Sequence, residues 1–96
     1  MGSVAYKTSD YLKTPEDIAA YIEVAMEGGD ERMILLALRE AADAIGGMSE
    51  LARRAGLTRE AVYKALGTEG NPRFSSLLAI LHAFGLGLGV TLQKAA

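Results

Sequence analysis

The sequence predicts an all-α domain of five helices closed by one C-terminal β-strand. Three observations carry that prediction. Apolar residues recur three and four apart through most of the chain. Glycines punctuate the recurrence at 28–29, 46–47, 56, 67 and 70, and after Gly85 the period falls to two. Thr14-Pro15-Glu16-Asp17 opens the first helix as an N-cap, a proline at the first helical position and acids in the first turn. Ile18, Ile22, Ala25 and Met26 then share a face until Gly28-Gly29 ends it. Asp30 caps the second helix, whose stripe is Ile34, Leu38, Ala41 and Ile45, widened by Leu35 and Ala42 and stopped by Gly46-Gly47.

A short third helix runs from about Ser49 to Ala55 and a fourth from Thr58 to Leu66, with Gly56 between them. Gly67, Gly70, Asn71 and Pro72 form a loop before a fifth helix, which places Phe74, Leu77, Leu78, Leu81 and Phe84 on one apolar face. Beyond Gly85, Leu86, Leu88, Val90 and Leu92 alternate with Gly87, Gly89 and Thr91 as in a strand. A lone strand leaves backbone donors and acceptors without a ladder. Its candidate partners are the same strand of a second subunit or the arm near Val4 to Tyr6. Pairing across a two-fold axis is the favoured expectation, which makes the protein a homodimer dimerising through Leu86, Leu88, Val90 and Leu92. The domain reading is an N-terminal arm over 1–13 and a single domain over 14–96, with its strand at about 86–92.

Composition narrows the function classes. Ninety-six residues, half of them hydrophobic, suit one small globular domain that is marginal as a monomer. Without cysteine there is no disulfide, thiolate ligand or thiol nucleophile, and one histidine excludes a multi-histidine metal site. No cofactor is expected, and an enzyme such as a small nuclease has no ligand spacing to support it. The start of the chain lacks the pattern of a signal peptide, so a cytoplasmic protein is expected. From Phe74 to Gln93 twenty residues carry no Asp, Glu, Lys or Arg, a length that meets the spanning criterion. The glycines in its middle and its change of period argue against a membrane segment.

The net charge of −2 hides an asymmetry. Residues 1–50 carry four basic and ten acidic side chains, and residues 51–96 carry six basic and two acidic. Local field, not the total, decides what a surface attracts, so two surfaces with different partners are expected.

Met48 to Leu66 is the most informative segment. It reads as two short helices around a tight turn at Gly56, the layout of a helix-turn-helix. Ala52 is small at the helix crossing, while Leu51, Ala55, Leu57, Val62 and Leu66 face the core and Thr58 caps the second helix. That helix presents Thr58, Arg59, Glu60, Tyr63 and Lys64 outward, alternating with Ala61, Val62 and Leu66. In a major groove Arg59 suits guanine O6 and N7, Glu60 a cytosine amine, and Tyr63 a thymine methyl or a phosphate. Lys64, Asn71 and Arg73 suit phosphates, and Ser49 at the start of the first of the two helices completes the candidate set. A helical hairpin with a solvated basic face would give the same local pattern.

Four stretches together resemble a known family: Thr14 to Ile22, Met48 to Leu66, Glu69 to Phe74 and Leu81 to Leu86. They are similar to the addiction-module antidotes, HigA-type antitoxins with a Cro/repressor-like (Xre-type) helix-turn-helix. The resemblance runs from about Tyr11 to Leu92, and Leu57 to Leu66 and Gly70 to Phe74 are its most specific parts. It implies a lambda-repressor-like domain in a bacterial antitoxin that binds a RelE/ParE-like toxin and represses the operon encoding both. Toxins of that superfamily are basic, which suits the acidic half of this chain, with Glu23, Glu27 and Glu31 as candidate toxin contacts. Two other functions fit the residues: a solitary phage-like regulator, and an interaction module whose helix-turn-helix is only scaffold.

The remaining features take simpler readings. His82 falls off the apolar face of the fifth helix and is expected at the surface. Met26, Met33 and Met48 are expected as core fillers. Gly85 to Gly89 is too near the end of the sequence for a nucleotide loop, which needs a following helix. The acid pairs at 16–17 and 30–31 complement helix dipoles.

Overall fold

The computed structural model describes residues 8–93. A 3₁₀ turn at Thr8–Tyr11 leads into five α-helices: α1 (Pro15–Gly28), α2 (Glu31–Ala44), α3 (Met48–Ala55), α4 (Arg59–Leu66) and α5 (Phe74–Ala83). The arm region thus ends in an ordered turn against α2, and Leu12 is buried in the core. Residues Val4 to Tyr6 lie outside the described part of the chain.

Local signals set the helix starts. Thr14 Oγ1 accepts from the Asp17 amide at 3.1 Å, and the Asp17 carboxylate accepts from the Thr14 amide at 3.1 Å. This reciprocal capping box satisfies two backbone donors that a helix start leaves orphaned. The same carboxylate accepts from the Lys13 amide as well. Asp30 caps α2 by accepting from the Arg32 amide, and Thr58 caps α4 by accepting from the Ala61 amide.

α1 and α2 form an antiparallel hairpin closed at Gly29 and Asp30. The Tyr21 hydroxyl donates to the Glu40 carboxylate and fixes its register. α2 also contacts α3 and α4, and α3 contacts both α4 and α5. Leu38, Leu51, Val62, Leu66 and Ile80 are fully enclosed at the centre. Ala37, Ala41 and Ala42 give α2 a small-residue surface against which its neighbours approach closely. Truncating a buried Leu such as Leu38 or Leu51 to Ala removes about 2–5 kcal/mol.

Three expectations need correction. Phe74 is 66% exposed, because α5 buries only its C-terminal half, through Ile80 and Leu81, and the Phe84 that follows. Met33 is 53% exposed, whereas Met26 and Met48 pack against the core as expected. Met33 sits in the first turn of α2, before the buried residues of that helix begin at Leu35. Residues 86–93 form no strand. The Leu86 amide donates to the Leu81 carbonyl at 2.9 Å and closes α5, and beyond it the described residues supply no ladder partner. Val90 and Leu92 are each 99% exposed. Among the described residues no helix is long and apolar enough to cross a membrane.

Candidate functional site

The chemistry-bearing segment is built on two short helices whose junction is tightly specified. Gly56 has φ +69°, a left-handed conformation that an L side chain resists, so glycine is the residue that fits there. The Leu57 amide then donates back to the Ala52 carbonyl at 3.0 Å, and Leu57 packs on the core. This is the bond that closes a Schellman-type helix end, and it turns the chain sharply into Thr58. Leu51 and Ala52 are buried on α3, as are Val62, Ala65 and Leu66 on α4, while Ala55, Leu57 and Ala61 are half-buried.

The rest of α4 is outward. Thr58, Arg59, Glu60 and Tyr63 line one open concavity. Lys64 is exposed one turn beyond Glu60. The Arg59 guanidinium carbon lies 5.1 Å from the centre of the Tyr63 ring, and Nη2 donates to the Tyr63 hydroxyl at 3.3 Å. Stacking and hydrogen bond together reduce the number of rotamers available to a long, flexible side chain. Ser49, Asn71 and Arg73 are exposed too, but they do not line this concavity. Arg73 is the N-cap of α5 and makes no side-chain capping bond.

The C-terminal end of α4 is held by one long-range bond and followed by a tight turn, in which the Gly70 amide donates to the Gly67 carbonyl at 2.8 Å. Arg39 on α2 donates through Nη1 to the Leu66 carbonyl at 2.6 Å, satisfying one of the acceptors a helix end leaves open. The chain after it turns so tightly that a Cβ at Gly70 would stand 2.4 Å from the Ala65 carbonyl oxygen. The loop bearing Asn71 and Arg73 is thereby kept close to α4.

Two cations that the sequence reading did not single out are already engaged. Glu50 accepts from Arg53 at 2.6 and 3.0 Å and from Arg54 at 2.8 Å. The bonds from Arg53 and then Arg54 hold its carboxyl at about 2, and Glu50 in turn raises the Arg53 pKa. The spacing of three and four from Glu50 was the available signal. Among the described residues Lys64 and Arg73 make no ion pair. The division at residue 50 therefore cuts through an ion triad. Over residues 48–93 there are five basic side chains against three acidic, a milder excess than the two halves suggest.

The acidic surface is concentrated on the α1–α2 hairpin. Residues 15–44 carry eight acidic and two basic side chains. Glu23, Glu27 and Glu31 are exposed there. Burial first, and then the bond to Glu40, raise the Tyr21 pKa. His82 is exposed, and among the described residues no group of three His, Asp or Glu is placed to hold a metal ion.

Fold and surface define a small protein, all-helical among the described residues, with an acidic hairpin and a separate helix face that is polar and aromatic-bearing. A family model described as "Probable addiction module antidote protein" matches residues 3–92, and the chain belongs to this family. It is 35% identical over 81 residues to a protein of Haemophilus influenzae named only as "Uncharacterized protein", covering 84% of this chain and 82% of that one. No solved structure matches the chain.

Proposed function

We propose that this protein neutralises a RelE/ParE-like toxin by direct binding and represses the operon encoding both, acting as a homodimer on palindromic DNA. In this reading α3 and α4 are the helix-turn-helix of a lambda-repressor-like domain, and α4 enters the major groove. The carrying observation is the outward face of α4, where Thr58, Arg59, Glu60 and Tyr63 surround one concavity and Arg59 is braced on Tyr63. Arg59 and Glu60 then read base edges, with Tyr63 on a thymine methyl or a phosphate. Lys64, Ser49, Asn71 and Arg73 fix register on phosphates. Family membership supports the antidote half of the reading, and the acidic hairpin supplies a surface for a basic toxin, with Glu23, Glu27 and Glu31 at its edge. The role is binding, not catalysis, and the site of action is the cytoplasm.

Titration of the purified chain against a duplex of its own upstream region tests the DNA half. Specific binding that weakens steeply with salt, by about 0.9 log units in affinity per log unit of salt for each phosphate neutralised, is the expected result. A second reading, an interaction module without DNA binding, draws on the pairing of Arg53 and Arg54 with Glu50, which spends two of the cations near α4. Equal affinity for the upstream region and for a scrambled duplex would favour that module.

A further inference from the structure

We infer that an apolar strip along the α1–α2 hairpin, formed by Val24, Met33 and Leu36, is the binding core for a small basic protein, with the surrounding carboxylates as its steering rim. The inference rests on the antidote reading and names the surface that would do that work. Val24 is 68% exposed and lies on α1, while Met33 and Leu36 lie on α2 and are also exposed. The hairpin closes at Gly29, and Tyr21 bonds Glu40 across it. Val24 lies three residues after Tyr21 on α1, and Met33 and Leu36 lie seven and four residues before Glu40 on α2, so the helix faces that this bond joins carry the three large side chains. Single exposed apolar residues are ordinary, whereas three gathered on joined helix faces form the kind of apolar patch that marks an interaction site.

Charge selects the occupant. Eight acidic side chains on the hairpin face two basic ones, and Arg39, one of the two, is already bonded to the Leu66 carbonyl. A second copy of this chain meeting the same face would set like charge against like. A basic partner with an apolar centre meets complementary charge at the rim and buries the strip. The two parts act on different rates: rim carboxylates speed encounter, and buried apolar contacts slow departure.

The test uses the full chain and the purified product of the reading frame adjoining its gene, with binding kinetics followed at low and high salt. Val24→Ser with Met33→Ser is expected to speed dissociation by about tenfold or more while leaving association nearly unchanged. Glu23→Lys with Glu27→Lys is expected to slow association at low salt and to converge on the parent chain at high salt. All four positions are exposed, so each variant should keep the parent melting temperature, which circular dichroism checks. Unchanged dissociation of the serine variant overturns the inference. Loss of self-association in that variant would overturn it too, because the occupant would then be a second copy. If the adjoining product fails to bind the parent chain at all, the antidote reading itself falls, and the strip loses its proposed occupant with it.

Discussion

Arg59 is the side chain on which base recognition would turn, and its neighbour makes that role testable. A guanidinium stacked on the Tyr63 ring and bonded to its hydroxyl is partly ordered before any ligand arrives. On the DNA-binding reading, Arg59→Ala should relax preference at one base position by about 1–3 kcal/mol, whereas Lys64→Ala should weaken all sequences alike and lower the salt slope by about 1. Competition titrations with single-base operator variants separate these outcomes, and equal losses at every position for Arg59→Ala would argue against base readout. Gly70 offers a prediction of another kind. A methyl group there would press on the Ala65 and Gly67 carbonyl oxygens, backbone atoms that cannot swing aside. Gly70→Ala should therefore cost about 1–3 kcal/mol of stability, read as a lowered denaturant midpoint. An unaltered midpoint would mean that the loop is not anchored to α4 as described.

At the scale of elements, each helix is a local statement joined to its neighbours by a few side chains. α3 carries its own ion triad, and the low Glu50 pKa makes that visible in solution. Because the folded-state value of about 2 lies below the ordinary 4.5, the contribution is present above about pH 4.5 and is lost as pH falls toward 2. Glu50→Gln should thus lower the melting temperature slightly at pH 6, and the gap to the parent should close by pH 2. The effect should be small and should shrink in high salt, since the triad faces solvent. A gap that persists unchanged at pH 2 would assign the loss to something other than charge. The helices themselves were legible in the sequence because their ends are written locally: Thr14, Asp30 and Thr58 cap where they were expected to, and Gly56 turns the chain. The outward set on α4 was legible for the same reason, since Val62 and Leu66 fix which side faces in. Tertiary context was not. Phe74 satisfies the apolar spacing of α5 but sits past the edge of the core, and Met33 stands exposed in the first turn of α2. The bond from Arg39 to Leu66 links residues 27 apart, a pairing that no local pattern encodes.

For the molecule as a whole, the open question is what completes residues 86–93. Leu86, Leu88, Val90 and Leu92 keep an alternation that suits a strand, yet Val90 and Leu92 stand 99% exposed and no ladder forms within the described chain. Leaving such a segment in water forfeits apolar burial of about 1.5–3 kcal/mol for each Val or Leu side chain. It also presents unpaired backbone groups that favour strand addition. Two copies meeting antiparallel across a two-fold axis would satisfy both demands and would put their α4 helices in symmetric positions. A palindrome with half-sites about 34 Å apart would be the matching DNA. Replacing Leu88, Val90 and Leu92 together by Ser should leave the monomer fold intact, because none of the three is in the core. Sedimentation should then show a shift from dimer to monomer at micromolar concentration. Affinity for an isolated half-site should change little, while affinity for the full palindrome should fall by about 100-fold or more as the second contact ceases to be intramolecular. A variant that remains dimeric, or one that loses half-site and palindrome binding equally, would place the two-fold contact elsewhere on the surface.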